Sequence, residues 1–218
     1  MDSMAGVDSV AAFAIFAAVL TVTPGLDTML VLRTTALTGR RAGLGAVTGI
    51  ALGCMVWAVA SALGVTAVLA TSRVAFEVLR IAGVAYLCWL GGRALWPGRR
   101  ATDDAVALDE LASMVDPGGS RAFRTGLTTN LLNPKVGVFY LSVMPQFLPV
   151  GMNPLAGSLT LGAVHVAEGL VWLSLVVLAV NRAREWLTRP VVKRRLEQLT
   201  GIAFIGFGLR LAFERAPR

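Results

Sequence analysis

Thr23-Pro24-Gly25-Leu26-Asp27 interrupts an apolar run that extends from about Val10 to Leu32. A proline inside a helix removes one backbone N–H, so the carbonyl of Leu20 loses its helical partner. Gly25 loosens the same turn, and Asp27 adds a carboxylate. Each of these features is costly in hydrocarbon, so a stretch that collects all three lines a cavity more readily than it faces lipid. A second interruption, Asn133-Pro134-Lys135, lies in another apolar run of the second half. Two broken helices in one small apolar chain point to a transporter.

The membrane setting comes from composition. The chain has 218 residues, of which 56% are hydrophobic and only 15% charged, unlike a soluble domain of that size. Apolar runs long enough to span a bilayer recur along it. The expected spans are about Val10–Leu32, Gly43–Ala70, Val74–Trp96, Gly126–Leu148, Gly157–Val180 and Leu199–Phe213. The last holds only 15 residues and includes Arg210, which would snorkel to the interface. The expected fold is all-α and polytopic, with six transmembrane helices in one domain, 1–218. Its first half is 1–96, a cytoplasmic linker loop covers 97–122, and the second half is 123–218. The linker carries Asp103, Asp104, Asp109, Glu110 and Asp116. These lack EF-hand spacing and read as solvated charge.

The formal charge of +7 does not mark a nucleic-acid binder, because there is no basic face with interleaved aromatics. The basic residues cluster between apolar runs instead. With six spans, fourteen of them fall on one side and five on the other. The positive-inside rule then places both termini outside. The start of the chain carries Asp2 and Asp8 and lacks the basic opening of a signal peptide, so the first run is expected to be retained. Cys54 and Cys88 lie in apolar runs without metal-ligand spacing, so neither a disulfide nor a bound metal or other cofactor is expected. Gly45, Gly49 and Gly53 recur every four residues on one helix face. That pattern lets helix backbones approach closely and would permit a homodimer.

Pro24 lies nine residues before Arg33, and Pro134 ten residues after Arg124. At about 1.5 Å per residue, both fall roughly 14–15 Å from the cytoplasmic flank, near the bilayer midplane. Three spans on each side of the linker make the halves run oppositely through the membrane. This is a 3+3 inverted repeat with broken helices 1 and 4, and it places a site between those breaks.

Thr23, Pro24, Gly25 and Asp27 form one wall of that expected site, and Asn130, Asn133, Pro134 and Lys135 the other. Pro134 would free the carbonyl of Asn130, as Pro24 frees that of Leu20. Lys135 is one of two lysines in the chain and needs an anionic partner at such depth, with Asp27 and Glu168 available. His165 and Glu168 share a face of the fifth span and, with Asp27, are candidates to carry a proton. Trp172 continues that face. The structural alternatives are a plain helix kink with an ion pair, and a buried pair that pins two helices.

These residues resemble the LysE/RhtB family of bacterial amino-acid exporters. The resemblance rests on Thr-Pro-Gly at 23–25, on the series Gly43, Gly45, Gly49 and Gly53, on Asn133-Pro134-Lys135, and on Pro145-Gln146-Phe147. Family members often read Pro-Gly-Pro followed by Asp or Asn. Here Leu26 replaces the second proline and Asp27 is kept. The resemblance implies a secondary transporter in the cytoplasmic membrane that moves amino acids or close derivatives outward, driven by protons. Two other classes are open to the residues alone. One is an exporter of inorganic or metal ions on a related plan. The other is an intramembrane enzyme using His165 and Glu168.

Overall fold

The computed structural model describes residues 2–71, 119–148, 151–180 and 189–213, together with positions 81, 85, 88, 89, 92, 95 and 182. Most of the expected third span (Val74–Trp96), residues 97–118 of the linker and the side chain of Arg210 lie outside the described residues.

Every regular element among the described residues is helical. The first apolar run forms α1 (Asp2–Val22) and α2 (Leu26–Thr38). The two are bent by 50° at the intervening break, so Thr23-Pro24-Gly25 does divide the run. Gly39 alone then joins α2 to α3 (Arg40–Thr71). Its φ of 90° is open to glycine and strained for other residues. Arg33 is therefore helical rather than part of a loop, and Arg40 and Arg41 open α3. Arg40 donates from Nη2 to the carbonyl of Leu178 at 3.0 Å, at the far end of another helix.

The second interruption divides its run as well. Helix α4 (Gly119–Leu131) ends before Asn133, and Pro134 opens the short α5 (Pro134–Val138). A π-helical turn over Phe139–Val143 and a 3-10 turn over Met144–Phe147 follow. The wide turn lets adjacent positions Phe139 and Tyr140 both point inward, with Val143, Met144 and Phe147 below them. Asn153 caps α6 (Pro154–Leu178), its Oδ1 accepting from the N–H groups of Leu155 and Ala156. The last helix, α7, covers Pro190–Phe213.

Two expected boundaries move. α4 begins at Gly119, so Arg121 and Arg124 sit on a helix and not in the linker. α7 begins at Pro190, so the final run is 24 residues long rather than 15, and Lys193 to Arg195 are helical. In both places a polar turn extends the helix beyond its apolar part.

Arg40–Gly64 and Pro154–Leu178 are each long and apolar enough to cross a bilayer, and the bent pair α1–α2 makes a third such unit. The outer faces agree with a lipid solvent. On α3 alone, Leu44, Leu52, Val56, Val59 and Leu63 are exposed, a surface a water-soluble helix would not present.

α3 is the centre, packed on α4 and α6. Its contact with α4 is set by small residues. A Cβ added to Gly49 would run into the backbone of Phe123, and one on Gly126 into the backbone of Ala46. Gly53 faces the side chain of Asn130. The small-residue face thus serves packing within the chain, and Gly49 and Gly53 offer no surface for a dimer. An aromatic cluster closes the side next to α1: Phe13 lies 5.6 Å from both Phe139 and Phe147, measured between ring centroids.

Candidate functional site

The two breaks meet. Asp27, in the first turn of α2, accepts at Oδ2 from Asn130 Nδ2 at 2.8 Å and at Oδ1 from Asn133 Nδ2 at 3.3 Å. One carboxylate from the first break is thus held by two amides from the second. Asn130 is fully buried, and its amide also points to Cys54 Sγ at 3.5 Å. Asn133 has two tasks. Its Oδ1 also accepts the backbone N–H of Lys135 at 3.1 Å, which caps α5.

Lys135 crosses back to the first break. Its Nζ donates to the carbonyl of Leu20 at 3.1 Å and to that of Thr23 at 3.2 Å. These are carbonyls at the open C-terminal end of α1, where the helix dipole favours a cation. Compensation for this cation therefore comes in part from backbone, a partner the side-chain inventory did not offer. Thr23 is buried and donates from Oγ1 to Val19 O at 2.7 Å. Gly25 is the N-cap of α2 and provides no side-chain cap.

The expectation that the Leu20 and Asn130 carbonyls are spare acceptors is not met. Leu20 O is taken by Lys135. Asn130 O accepts from the N–H of Asn133 at 3.1 Å and from Trp57 Nε1 at 3.4 Å. Buried backbone groups find partners, and here both did so within the chain.

A cavity that is partly open to the outside lies against this constellation. Thr23, Gly25, Asp27, Asn133, Lys135 and His165 all line it. His165 is buried, with Nδ1 2.9 Å from the hydroxyl of Tyr140 and its ring 5.1 Å from that of Phe139. Glu168 does not line it. The reason is helical geometry: the cavity face of α6 runs through His165, Val166, Gly169, Leu170 and Leu173. At about 100° per residue, Glu168 lies roughly 130° from the centre of that face. Its Oε2 is buried with no hydrogen-bond partner among the described residues, as is Trp172 Nε1.

Three features were not anticipated: Tyr140 behind His165, and Cys54 and Thr28 on the cavity wall. Tyr140 is one of two tyrosines in the chain, and its phenol in an apolar run was a signal that a partner was needed. Cys54 follows Gly53 on the α4-facing side of α3 and lies on the cavity wall. Thr28, one residue after Asp27, lines it too. No three His, Cys, Asp or Glu side chains converge among the described residues.

The family described as LysE type translocator matches residues 18–215. The uncharacterized membrane protein YrhP of Bacillus subtilis is 29% identical, over 93% of this chain and 97% of that protein. The homoserine/homoserine lactone efflux protein of Salmonella typhimurium is 29% identical, over 94% and 96%. The leucine efflux protein of Klebsiella pneumoniae is 31% identical, over 87% of each. No solved structure matches the chain. A match over nearly the whole length, on a helical chain broken at both expected places, removes the enzyme alternative: the protein belongs to the LysE type translocator family and is a membrane transporter.

Proposed function

We propose that this protein exports amino acids or close derivatives across the bacterial cytoplasmic membrane, coupled to protons. The observation that carries the reading is Asp27, held by Asn130 and Asn133 across two helix breaks and exposed to a cavity that Lys135 shares. An amino acid is a zwitterion and needs both signs of partner. Asp27 suits its ammonium group. Lys135 and the uncapped N–H groups at the start of α2 suit its carboxylate. Relatives named for efflux of homoserine and of leucine support the same reading.

The frame of this proposal is a six-span 3+3 inverted repeat with both termini outside, in which the two breaks lie near the midplane. Protons would act through Asp27 and through His165, whose ring lines the cavity while Tyr140 fixes one of its nitrogens. A change of charge at either group alters the cost of an empty site and so biases inward against outward states. Glu168 is a further candidate that would act from the far flank of α6.

Purified protein in liposomes preloaded with single amino acids tests the reading. Efflux should exceed that of protein-free vesicles for at least one amino acid and rise when the outside is made acidic. Efflux indifferent to the pH gradient removes the coupling. No efflux for any amino acid removes the exporter.

A further inference from the structure

The cavity walls divide by chemistry. The α1–α2 break and the start of α5 contribute Asp27, Asn133 and Lys135. The wall from α3 and α6 contributes Val47, Ile50, Val166, Leu170 and Leu173. Among the described residues that line it, Asp27 is the one carboxylate and Lys135 the one lysine or arginine. On the exporter reading, on which this inference rests, the substrate's own ammonium and carboxylate engage both. No fixed charge is then left among the described lining residues for a substrate side chain. His165 is the titratable group of the α6 wall, and its Nδ1 is engaged by Tyr140.

We propose that the substrates are neutral aliphatic amino acids, whose side chains lie against Val47, Ile50, Leu170 and Leu173, and that charged amino acids are rejected. A lysine or glutamate side chain in this cavity would be desolvated with no partner of opposite sign, which selects strongly against it. A branched aliphatic chain instead leaves water for an apolar wall. Gly169 sets the room available. It lines the cavity, and a Cβ added there would meet nothing within 4 Å. Glycine at this point leaves the width that a branched side chain needs.

Counterflow into liposomes loaded with unlabelled leucine tests the assignment. Labelled leucine, isoleucine and valine should enter well above the protein-free rate, and lysine and glutamate at that rate. Gly169→Val should lower the ratio of leucine to alanine exchange about tenfold, the discrimination expected of one or two methylenes in an apolar pocket. Gly169→Ala should move the ratio the same way by less, and serves if the valine variant does not reach the membrane. Lysine or glutamate entering within about tenfold of leucine overturns the proposal while leaving an exporter. So does preference for threonine over leucine, or a ratio that neither variant moves. Absence of all exchange overturns the exporter reading with it.

Discussion

At Pro134 the resuming helix is capped by its own neighbour, since Asn133 Oδ1 accepts the N–H of Lys135 at 3.1 Å. At Pro24 the N-cap of the resuming helix is Gly25, which has no side chain to offer. The carbonyls before Pro24 are met by Lys135, which belongs to the other break. One proline break is therefore closed locally. The other is closed in part by the first and left open toward the cavity at the start of α2. The same residue type in the two breaks does two different jobs, and the difference lies in the residue beside each proline, Asn133 against Gly25. The self-capped break holds its own helix start. The other leaves its helix start without a side-chain cap.

The largest effect should come from the charge the two breaks share. Asp27→Asn keeps the shape but sets an amide against two amides. Loss of a charged hydrogen-bond acceptor predicts an efflux rate lower by roughly 100-fold, read in liposomes at matched protein content. Efflux like that of the parent would shift the chemistry to Glu168. Next in size is Gly53→Val. The new Cβ would lie against Asn130 Oδ1 and Cβ and push the amide off Asp27, with about tenfold slower efflux expected and less for Gly53→Ala. If Gly53→Val transports normally, the Asn130 contact is dispensable.

Asn133 allows its two tasks to be separated. Asn133→Ala loses the cap and should lower the thermal midpoint in detergent by about 2–4 °C for roughly 1 kcal/mol. Asn133→Ser retains a cap, so its midpoint should stay near that of the parent, while both variants lose the contact with Asp27 and slow efflux. Equal midpoints for the two variants would deny that Asn133 closes its own break. The smallest effect is expected of Gly25→Ser, which makes the first break resemble the second. The φ of −146° admits serine, and its Cβ would be in ordinary contact with Lys135. A side-chain cap should add a few tenths of a kcal/mol and raise KM, because it competes for the N–H groups proposed to hold the carboxylate. A lowered KM would place that carboxylate elsewhere.

Much of this site was legible because proline, aspartate, asparagine and lysine are conspicuous inside apolar runs. Both breaks, and the presence of Asp27, Asn130 and Asn133 at them, follow from residues that cannot be buried alone. That Asp27 is held by the two amides was not foreseen, because the sequence offered it as a partner for Lys135. What stayed hidden has physical causes too. Backbone carbonyls carry no letter, so the partners of Lys135 at Leu20 and Thr23 were out of reach of a side-chain inventory. The π-helical turn shifts the frame after Phe139 and turns Tyr140 inward to His165, which a regular 3.6-residue period does not foresee. Glu168 was grouped with His165 because the two are three apart, but the cavity face continues through Val166 and Gly169 on the other flank. Helix ends were misjudged at Gly119 and Pro190 because hydropathy follows the bilayer's apolar layer, and helices continue past it.

The close approach of Gly49 to Phe123 and of Gly126 to Ala46 has a mechanical consequence. No side chain lies between those backbones to change rotamer and absorb a displacement, so sliding α3 against α4 would be resisted by direct backbone contact. The joints beside that contact are the bend at Thr23–Gly25 and the single residue Gly39. Between them α2 is a rod of 13 residues, roughly 20 Å long. A tilt of about 10° at its cavity end would carry the far end some ~3–4 Å over that length. On the exporter reading, a substrate no larger than an amino acid that grips the short arm at Asp27 would have leverage over the whole length of α2.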